Sequence, residues 1–257
     1  MISVIIPTHN DTAYLSEALD SAFSQEGVSV EVILVDDATE DRDKIEELCK
    51  PYGEQYGDRF CYIRNDTNLG VAKSRNLGVE HAHGEYVAFL DADDIWESGK
   101  LAAQLAALRE NTSVLCSTAR RLIAADGSRT ERIIGVPERI TYEGILHSNV
   151  ISCSSVMLLR KTALQYPMEH DEAHEDYLCW LRILKNEGDG VGVDTPYLLS
   201  RMARGGKSRN KFKSARMHYR TLRLAGIGAP RACLLFVSYA FAGVRKYTGH
   251  LKTGKTV

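Results

Sequence analysis

No aspartate or glutamate follows Asp194 in this chain of 257 residues. From Arg201 to Val257 there are 14 Lys or Arg residues, while residues 1–200 hold 18 basic and all 34 acidic ones. A tail of one sign points to an anionic partner. The six cysteines, Cys49, Cys61, Cys116, Cys153, Cys179 and Cys233, include no CxxC pair. Most sit among apolar neighbours, so reduced core thiols are expected, not a disulfide framework. No His/Cys cluster has zinc spacing. The opening "MISVIIPTHN" has no basic n-region and no cleavage site, so no secretory signal is expected and the location is read as cytoplasmic. There is no internal repeat, no low-complexity block and no clear linker before about residue 205. At 44% hydrophobic and 26% charged, the chain is neither disordered nor collagen-like.

Several familiar sites are also missing. "ARGGKS" ends like a P-loop at Gly206-Lys207-Ser208, but Arg201 stands where the earlier glycine belongs. His170 and His174 in "HDEAH" lack the acid placement of H-E-x-x-H and read as surface histidines. Asn65-Asp66-Thr67 is a glycosylation sequon without meaning in a cytosolic protein.

What is present is an alternation. "SVIIP", "VEVILVDD", "FCYIR" and "EYVAFLD" are short apolar runs read as strands. "TAYLSEALDSAF", "TEDRDKIEELCKPY" and "VAKSRNLGVEHA" between them read as helices. Tyr14, Leu15, Ala18, Leu19, Ala22 and Phe23 share one face of the first helix, which Asn10 or Asp11 can cap. Four strands and three helices in about 100 residues predict a doubly wound parallel sheet, with ligands beyond the carboxyl ends of its strands. After Lys100 the rhythm changes. "SVLCSTARRLIAADGSRTERII" reads as two strands around Asp126-Gly127, and "NVISCSSVMLL" as another strand. "HEDYLCWLRILKNEG" reads as an amphipathic helix with Tyr177, Trp180, Leu181 and Leu184 inward and Gly188 ending it.

Two strands end in crowded carboxylates, Asp36-Asp37 and Asp91-Ala92-Asp93-Asp94. In extended chain Asp91 and Asp93 face one side and Asp94 the other. Hard oxygen ligands of this kind suit Mg²⁺ or Mn²⁺. A D-x-D alone equally fits helix caps and solvated turn residues.

Taken together, "SVIIPTHN", "VDDATED", "NLGVAKSRNLGV", "FLDADD" and "HEDYLCWLRIL" resemble, in order and approximate spacing, the family 2 glycosyltransferases with a GT-A fold. The likeness is to the bacterial enzymes that build surface polysaccharides, and it covers roughly residues 1–210. It implies an α/β fold with a Rossmann-like, mostly parallel central sheet flanked by helices and a C-terminal helical extension. Residues 1–205 would be the catalytic domain, with 1–100 the nucleotide-binding half and 101–205 the acceptor half. Residues 206–257 would be a basic amphipathic extension. The implied reaction moves a sugar, with inversion, from a nucleotide-sugar donor, UDP by default, to a hydroxyl of a glycan or lipid-linked acceptor.

The same resemblance assigns residues. Thr8, Asp37, Arg75 and Asp91 match nucleotide-binding positions, Asp93 the ligand of Mn²⁺ or Mg²⁺, and Asp176 the general base. The chemistry agrees: a carboxylate accepts the N3–H of uracil, and a carboxylate in the first turn of a helix stays ionised and ready to take a proton. Ala38 stands where the family often has glycine and Ser74 where alanine is common. Both are small, and little change is expected from either. Two other classes remain open to the sequence: a non-catalytic nucleotide- or membrane-binding module on the same fold, and a sugar nucleotidyltransferase.

The tail supplies the last expectation. "NKFKSARMHYRTLRLAG" reads as a basic helix carrying Lys211, Lys213, Arg216, Arg220 and Arg223. "ACLLFVSYAFAGV" follows, thirteen apolar or small residues between Arg231 and Arg245. That is short of the about 20 residues a membrane span needs. Either the segment lies in the interface of an anionic membrane, peripheral on its inner face, or it packs on the catalytic domain or in a homodimer contact. No nucleic-acid partner is expected.

Overall fold

A computed structural model of the chain describes residues 1–202 and 211–248. The ten strands are β1 (Ile2–Thr8), β2 (Val30–Asp36), β3 (Phe60–Arg64), β4 (Tyr86–Phe89), β5 (Ile95–Trp96), β6 (Leu115–Ile123), β7 (Arg129–Ile134), β8 (Arg139–Ile140), β9 (Val156–Leu159) and β10 (Gly190–Arg201). The helices are α1 (Leu15–Phe23), α2 (Arg42–Tyr56), α3 (Val71–His81), α4 (Lys100–Asn111), α5 (Tyr142–His147), α6 (Arg160–Gln165), α7 (Glu175–Asn186), α8 (Lys211–Leu224) and α9 (Ala229–Thr248).

One sheet runs β3-β2-β1-β4-β9-β6-β10-β5, with β7 on β6 and β8 on β10. β3, β2, β1 and β4 are parallel, in line with the predicted doubly wound half. The chain steps outward from β1 to β3 and then returns through α3 to place β4 on the other side of β1. That reversal opens a crevice beyond the carboxyl ends of β1 and β4, where ligands bind in such sheets. Beyond β4 the sheet is mixed: β9 is antiparallel to both β4 and β6, and β10 is parallel to β6.

Alternation along the strands divides the interior in two. Ile5, Ile33, Val35, Val87 and Phe89 face a core shared with α3, α6 and α7. Val4, Ile6, Val32, Leu34 and Ala88 face the opposite core, with Leu15 and Leu19 of α1 and Leu101 and Leu108 of α4. α3 lies so close to β1 that a Cβ on Gly78 would collide with the Ile5 side chain. The six cysteines are unpaired, as expected.

Several expectations are corrected. Neither Asn10 nor Asp11 caps α1: its N-cap is Tyr14, with no side-chain bond. Asn10 instead clamps the neighbouring loop, its N–H donating to Thr39 Oγ1 (3.1 Å) and its Oδ1 accepting from Glu40 N (2.8 Å). "NVISCSSVMLL" is not one strand, because Ser152 and Ser155 form a capping box that winds Cys153–Ser155 into a 3-10 turn before β9. α4 and the twelve-residue β10 have no counterpart in the sequence reading. α4 starts at Gly99, in the left-handed region at φ 81°, without a capping side chain. β10 is broken by a register shift between Val193 and Leu198, around Pro196.

The C-terminal helices are not an appendage. Leu222 and Ile227, and Ala232 and Leu235 of α9, are buried in the same core as Trp180 and Leu181 of α7. The His174 N–H, at the start of α7, donates to Thr221 Oγ1 of α8 (3.1 Å). The expected boundary at residues 205 and 206, and the Gly206-Lys207-Ser208 stretch, lie outside the described residues.

Candidate functional site

β1 pairs in parallel with β2 as far as Thr8↔Asp36 and with β4 as far as Ile5↔Phe89, so the residues after β2 and β4 leave the sheet at the same end. All the carboxylates singled out in the first half of the chain therefore stand on one rim of the sheet.

The end of β2 is fully wired. Asp36 is buried and accepts from the Thr39 N–H (2.8 Å), the Tyr62 hydroxyl (2.9 Å) and the Arg64 guanidinium. Asp37 continues the sheet, its N–H donating to the Thr8 carbonyl (2.8 Å). Its carboxylate accepts from Asn65 Nδ2, the Leu69 N–H and the Gly70 N–H, each at 2.8 Å. These donors fix the loop that leads into α3. Gly70 is required there: its φ is 92°, and a Cβ would strike the Asp171 carboxylate. Asp171 in turn accepts from the Ala72 N–H in the first turn of α3 (3.1 Å). Thr8, Asp37, Gly70, Ser74 and Asp171 line a cavity of about 340 Å³.

The end of β4 is different. Residues 91–94 are not extended as expected; they form a turn in which the Asp94 N–H donates to the Asp91 carbonyl (3.0 Å). Asp91 pairs with Arg75 Nη2 at 2.7 Å. Asp94 is buried and accepts from the Arg201 N–H (2.9 Å). Burial first, then Asp91 and Asp93, raise its carboxyl. The Asp93 side chain has no ion-pair partner among the described residues. Burial, and then the nearby Asp91 and Asp11 carboxylates, push it up to about 6.

Arg75 ties this turn to the other half of the molecule. Its side chain is 5% exposed and sits between Asp91 and Glu175, with Nη1 3.1 Å from Glu175 Oε1. It is thus closed off between two carboxylates, not open to the cavity. Glu175 begins α7, and Asp176 follows it, half-buried and close enough to act electrostatically on the Arg75 guanidinium. Asp176 Oδ1 accepts from the Tyr177 N–H (2.7 Å), which orients the carboxylate at the helix start.

Three supporting residues were not singled out in the sequence. Glu175 was passed over beside Asp176, although "HED" offers two acids. Ser154 Oγ accepts from the Asp91 N–H (3.1 Å), and its carbonyl accepts from Trp96 Nε1 (2.8 Å). Arg201 is placed by the antiparallel register Leu199↔Ile95, which sets it opposite the acidic turn. Its buried guanidinium donates to the Asp93 carbonyl, the Ala125 carbonyl and Glu17 Oε2, each at 2.9 Å, and lies 3.9 Å over the Tyr14 ring. No pattern in "LLSR" announces that role.

A divalent cation fits this donor set. Among the described residues no group of three His, Cys, Asp or Glu converges as a closed cage. Mg²⁺ needs only one or two protein carboxylates when phosphate oxygens and water complete its shell. Asp93, crowded by the Asp91 and Asp11 carboxylates and only partly offset by the charge of Arg201, is a carboxylate that a cation would relieve.

Comparison with known proteins bears on the family and the fold. The family described as glycosyl transferase family 2 matches residues 3–166. A Bacillus subtilis (strain 168) protein described as a putative teichuronic acid biosynthesis glycosyltransferase, TuaG, is 31% identical over 96% of this chain and 97% of its own. The Escherichia coli protein WfaP, a UDP-Glc:alpha-D-GlcNAc-diphosphoundecaprenol beta-1,3-glucosyltransferase, is 32% identical over 96% of this chain and 95% of its own. Residues 1-349 of S. aureus TarS, solved with UDP-GlcNAc, superpose with a TM-score of 0.69 at 20% identity, covering 99% of this chain and 76% of that one. The Pyrobaculum calidifontis mannosyltransferase PcManGT, solved with GDP-Man and Mn²⁺, gives a TM-score of 0.66 at 19% identity, covering 97% and 76%. These two structures share the fold.

Proposed function

This chain is a member of glycosyltransferase family 2, and from that premise we propose that it moves a hexosyl group from a UDP-sugar to a hydroxyl of a lipid-linked saccharide in surface-polysaccharide assembly, with inversion at the anomeric carbon. Membership sets aside the non-catalytic module and the sugar nucleotidyltransferase. The carrying observation is the bridge made by Arg75. By joining Asp91 to Glu175, it ties the acidic turn to the start of α7, where Asp176 follows Glu175 and acts electrostatically on the same guanidinium. The nature of the acceptor rests on the relatives, whose printed names include transfer to a diphosphoundecaprenol-linked sugar.

In this reading the cavity beside Asp37 takes the nucleoside. Three donors already hold that carboxylate, which leaves one of its roughly four acceptor sites for a ring N–H such as uracil N3–H. Thr8 borders the same cavity. Asp93, with Asp91 beside it, would hold a divalent cation, Mn²⁺ or Mg²⁺, which when bound supplies Lewis-acid stabilisation of the leaving diphosphate. Arg75 acts by position, keeping Asp91 turned towards α7. Asp176 takes the proton of the acceptor hydroxyl as its oxygen bonds to the anomeric carbon. The bond from that carbon to the diphosphate oxygen breaks, and its electron pair leaves with the nucleoside diphosphate. Donor and acceptor meet at the inner face of a membrane, where the basic tail faces anionic lipid. Among the described residues no helix is long and apolar enough to cross a membrane.

The test is a panel of nucleotide-sugars with Mn²⁺ or Mg²⁺, read as release of nucleoside diphosphate. UDP-sugars should be consumed fastest. Asp176→Asn should lower turnover by about 10²-fold or more, the usual scale for a lost general base, with UDP affinity nearly unchanged. Weak UDP binding with normal turnover in that variant would remove Asp176 from the role of base.

A further inference from the structure

Resting on the reading of a membrane-side acceptor, we infer that the outward face of α9, at Cys233, Leu234 and Val237, is the surface that enters the interface of an anionic bilayer. α9 is already packed along its inner side. Ala232 and Leu235 are buried, Arg231 Nη2 meets both Glu143 oxygens of α5 at 2.8 Å, and His147 Nδ1 lies 3.1 Å from Ser238 Oγ. A helix docked in this way normally turns charged residues to water, as α2 does with Glu46, Lys50 and Glu54. α9 does not. Leu234 is 73% and Val237 53% exposed, and the sequence holds no charge from Ala232 to Val244.

The apolar strip belongs to a stretch with 14 basic and no acidic residues from Arg201 onward, of which Arg201, Arg220 and Arg231 are paired with Glu17, Glu172 and Glu143. A second copy of this chain is a poor occupant, because it would bring two strongly positive tails together. An anionic lipid surface satisfies both features, drawing the basic tail by charge and accepting the strip among its headgroups and upper acyl chains. Because Arg231 and His147 hold α9 to α5, the contact would fix how the catalytic body sits on the membrane.

The full chain is mixed with phosphatidylcholine vesicles, with or without phosphatidylglycerol, and sedimented. Among the six cysteines Cys233 alone is exposed, with Cys61 half-buried and the other four buried, so a polarity-sensitive fluorophore placed there reports insertion. The expected result is binding to anionic vesicles only, a blue shift of the fluorophore, and weakening with salt. Leu234→Glu with Val237→Glu should reduce partitioning on the order of tenfold, with donor hydrolysis unchanged. If that variant loses its circular dichroism, Leu234→Ser with Val237→Ser replaces it. Wild-type vesicle binding by a folded variant overturns the assignment of this face. So does concentration-dependent dimerisation that the same substitutions abolish while vesicles are ignored. Vesicle binding without hydrolysis of any nucleotide-sugar would overturn the enzymatic reading and leave this surface standing.

Discussion

The ends of β2 and β4 carry the same kind of residue in opposite electrostatic states. At β2, Asp36 and Asp37 receive six donors from nearby loops and strands. At β4, Arg75 pairs with Asp91, but Asp94 has one backbone N–H and Asp93 only the charge of Arg201 against burial and neighbouring carboxylates, and both are pushed up. The first pair is finished by the protein itself, so it can shape a cavity and still present a rigid acceptor. In the proposed reading, a divalent cation completes the second. Carboxylates crowded at a strand end thus have two meanings, and the count of donors around each separates them.

The largest test of this contrast is Asp93→Ala. If Asp93 holds the cation, transfer should fall by about 10³-fold or more, the scale of losing a preorganised charge at the leaving group, and the Mn²⁺ enhancement of UDP binding should vanish while the unfolding midpoint holds. Metal-dependent transfer surviving in this variant would erase the difference between the two strand ends. Asp36→Ala should do the reverse. It strips a buried carboxylate from Arg64, Tyr62 and the Thr39 N–H, so urea denaturation should show a loss of about 3 kcal/mol or more. A stable but inactive Asp36→Ala protein would mean that β2 also ends in chemistry.

How legible each end was in the sequence follows from the same distinction. Asp37, Asp93 and Asp176 could be picked out because the short motifs that hold them, at two strand ends and a helix start, resemble those of a known family. The parallel half, β1 to β4, could be read because each strand and its helix are local patterns. Arg201 could not: its guanidinium bridges to Glu17, 184 residues away in sequence, and only the pairing of β10 with β5 brings it to the acidic turn. α4 escaped because a left-handed glycine opens it in place of a capping side chain. The tail was read correctly as basic helix. Of the placements left open for the segment after it, packing on the catalytic domain is seen at Ala232 and Leu235 of α9; which residues make that contact was not legible, because Leu222 and Leu235 are buried by helices distant in sequence. Deleting residues 210–257 would therefore damage the support of α7 and is a poor way to test the membrane.

A third, smaller effect sharpens the comparison through pH. The native state holds the Asp93 proton more tightly than the unfolded chain, about 6 against an ordinary 3.8. Ionising it therefore costs stability as pH rises from about 4 to about 6, and the full cost remains above that. Asp93→Asn should stabilise the metal-free protein at pH 7.5 by about 1–2 kcal/mol after allowance for solvent screening. The gain should shrink towards zero near pH 4. Added Mn²⁺ should raise the melting temperature of the parent and leave Asp93→Asn unmoved. An equal response of both proteins would place the cation elsewhere.

The smallest effect tests how rigid the β2 end is. Ala38, expected to be an innocuous replacement for glycine, lies in the left-handed region at φ 58°, directly after Asp37. An alanine there suffers a clash of its Cβ with the backbone worth about 1–2 kcal/mol. Glycine removes the clash but adds freedom to the unfolded chain, worth about 0.4–1 kcal/mol in the opposite direction. The balance favours Ala38→Gly by about 0.5 kcal/mol, visible as a small rise in the urea midpoint with an unchanged slope. Ala38→Val should go the other way by at least as much, because a β-branched residue fits that region worse than alanine. UDP affinity separates two forms of the argument. If the donors from Asn65, Leu69 and Gly70 hold the Asp37 carboxylate by themselves, Ala38→Gly binds UDP as tightly as the parent. A several-fold loss of affinity in the more stable protein would mean that the strained residue, and not the donor set, keeps Asp37 in place.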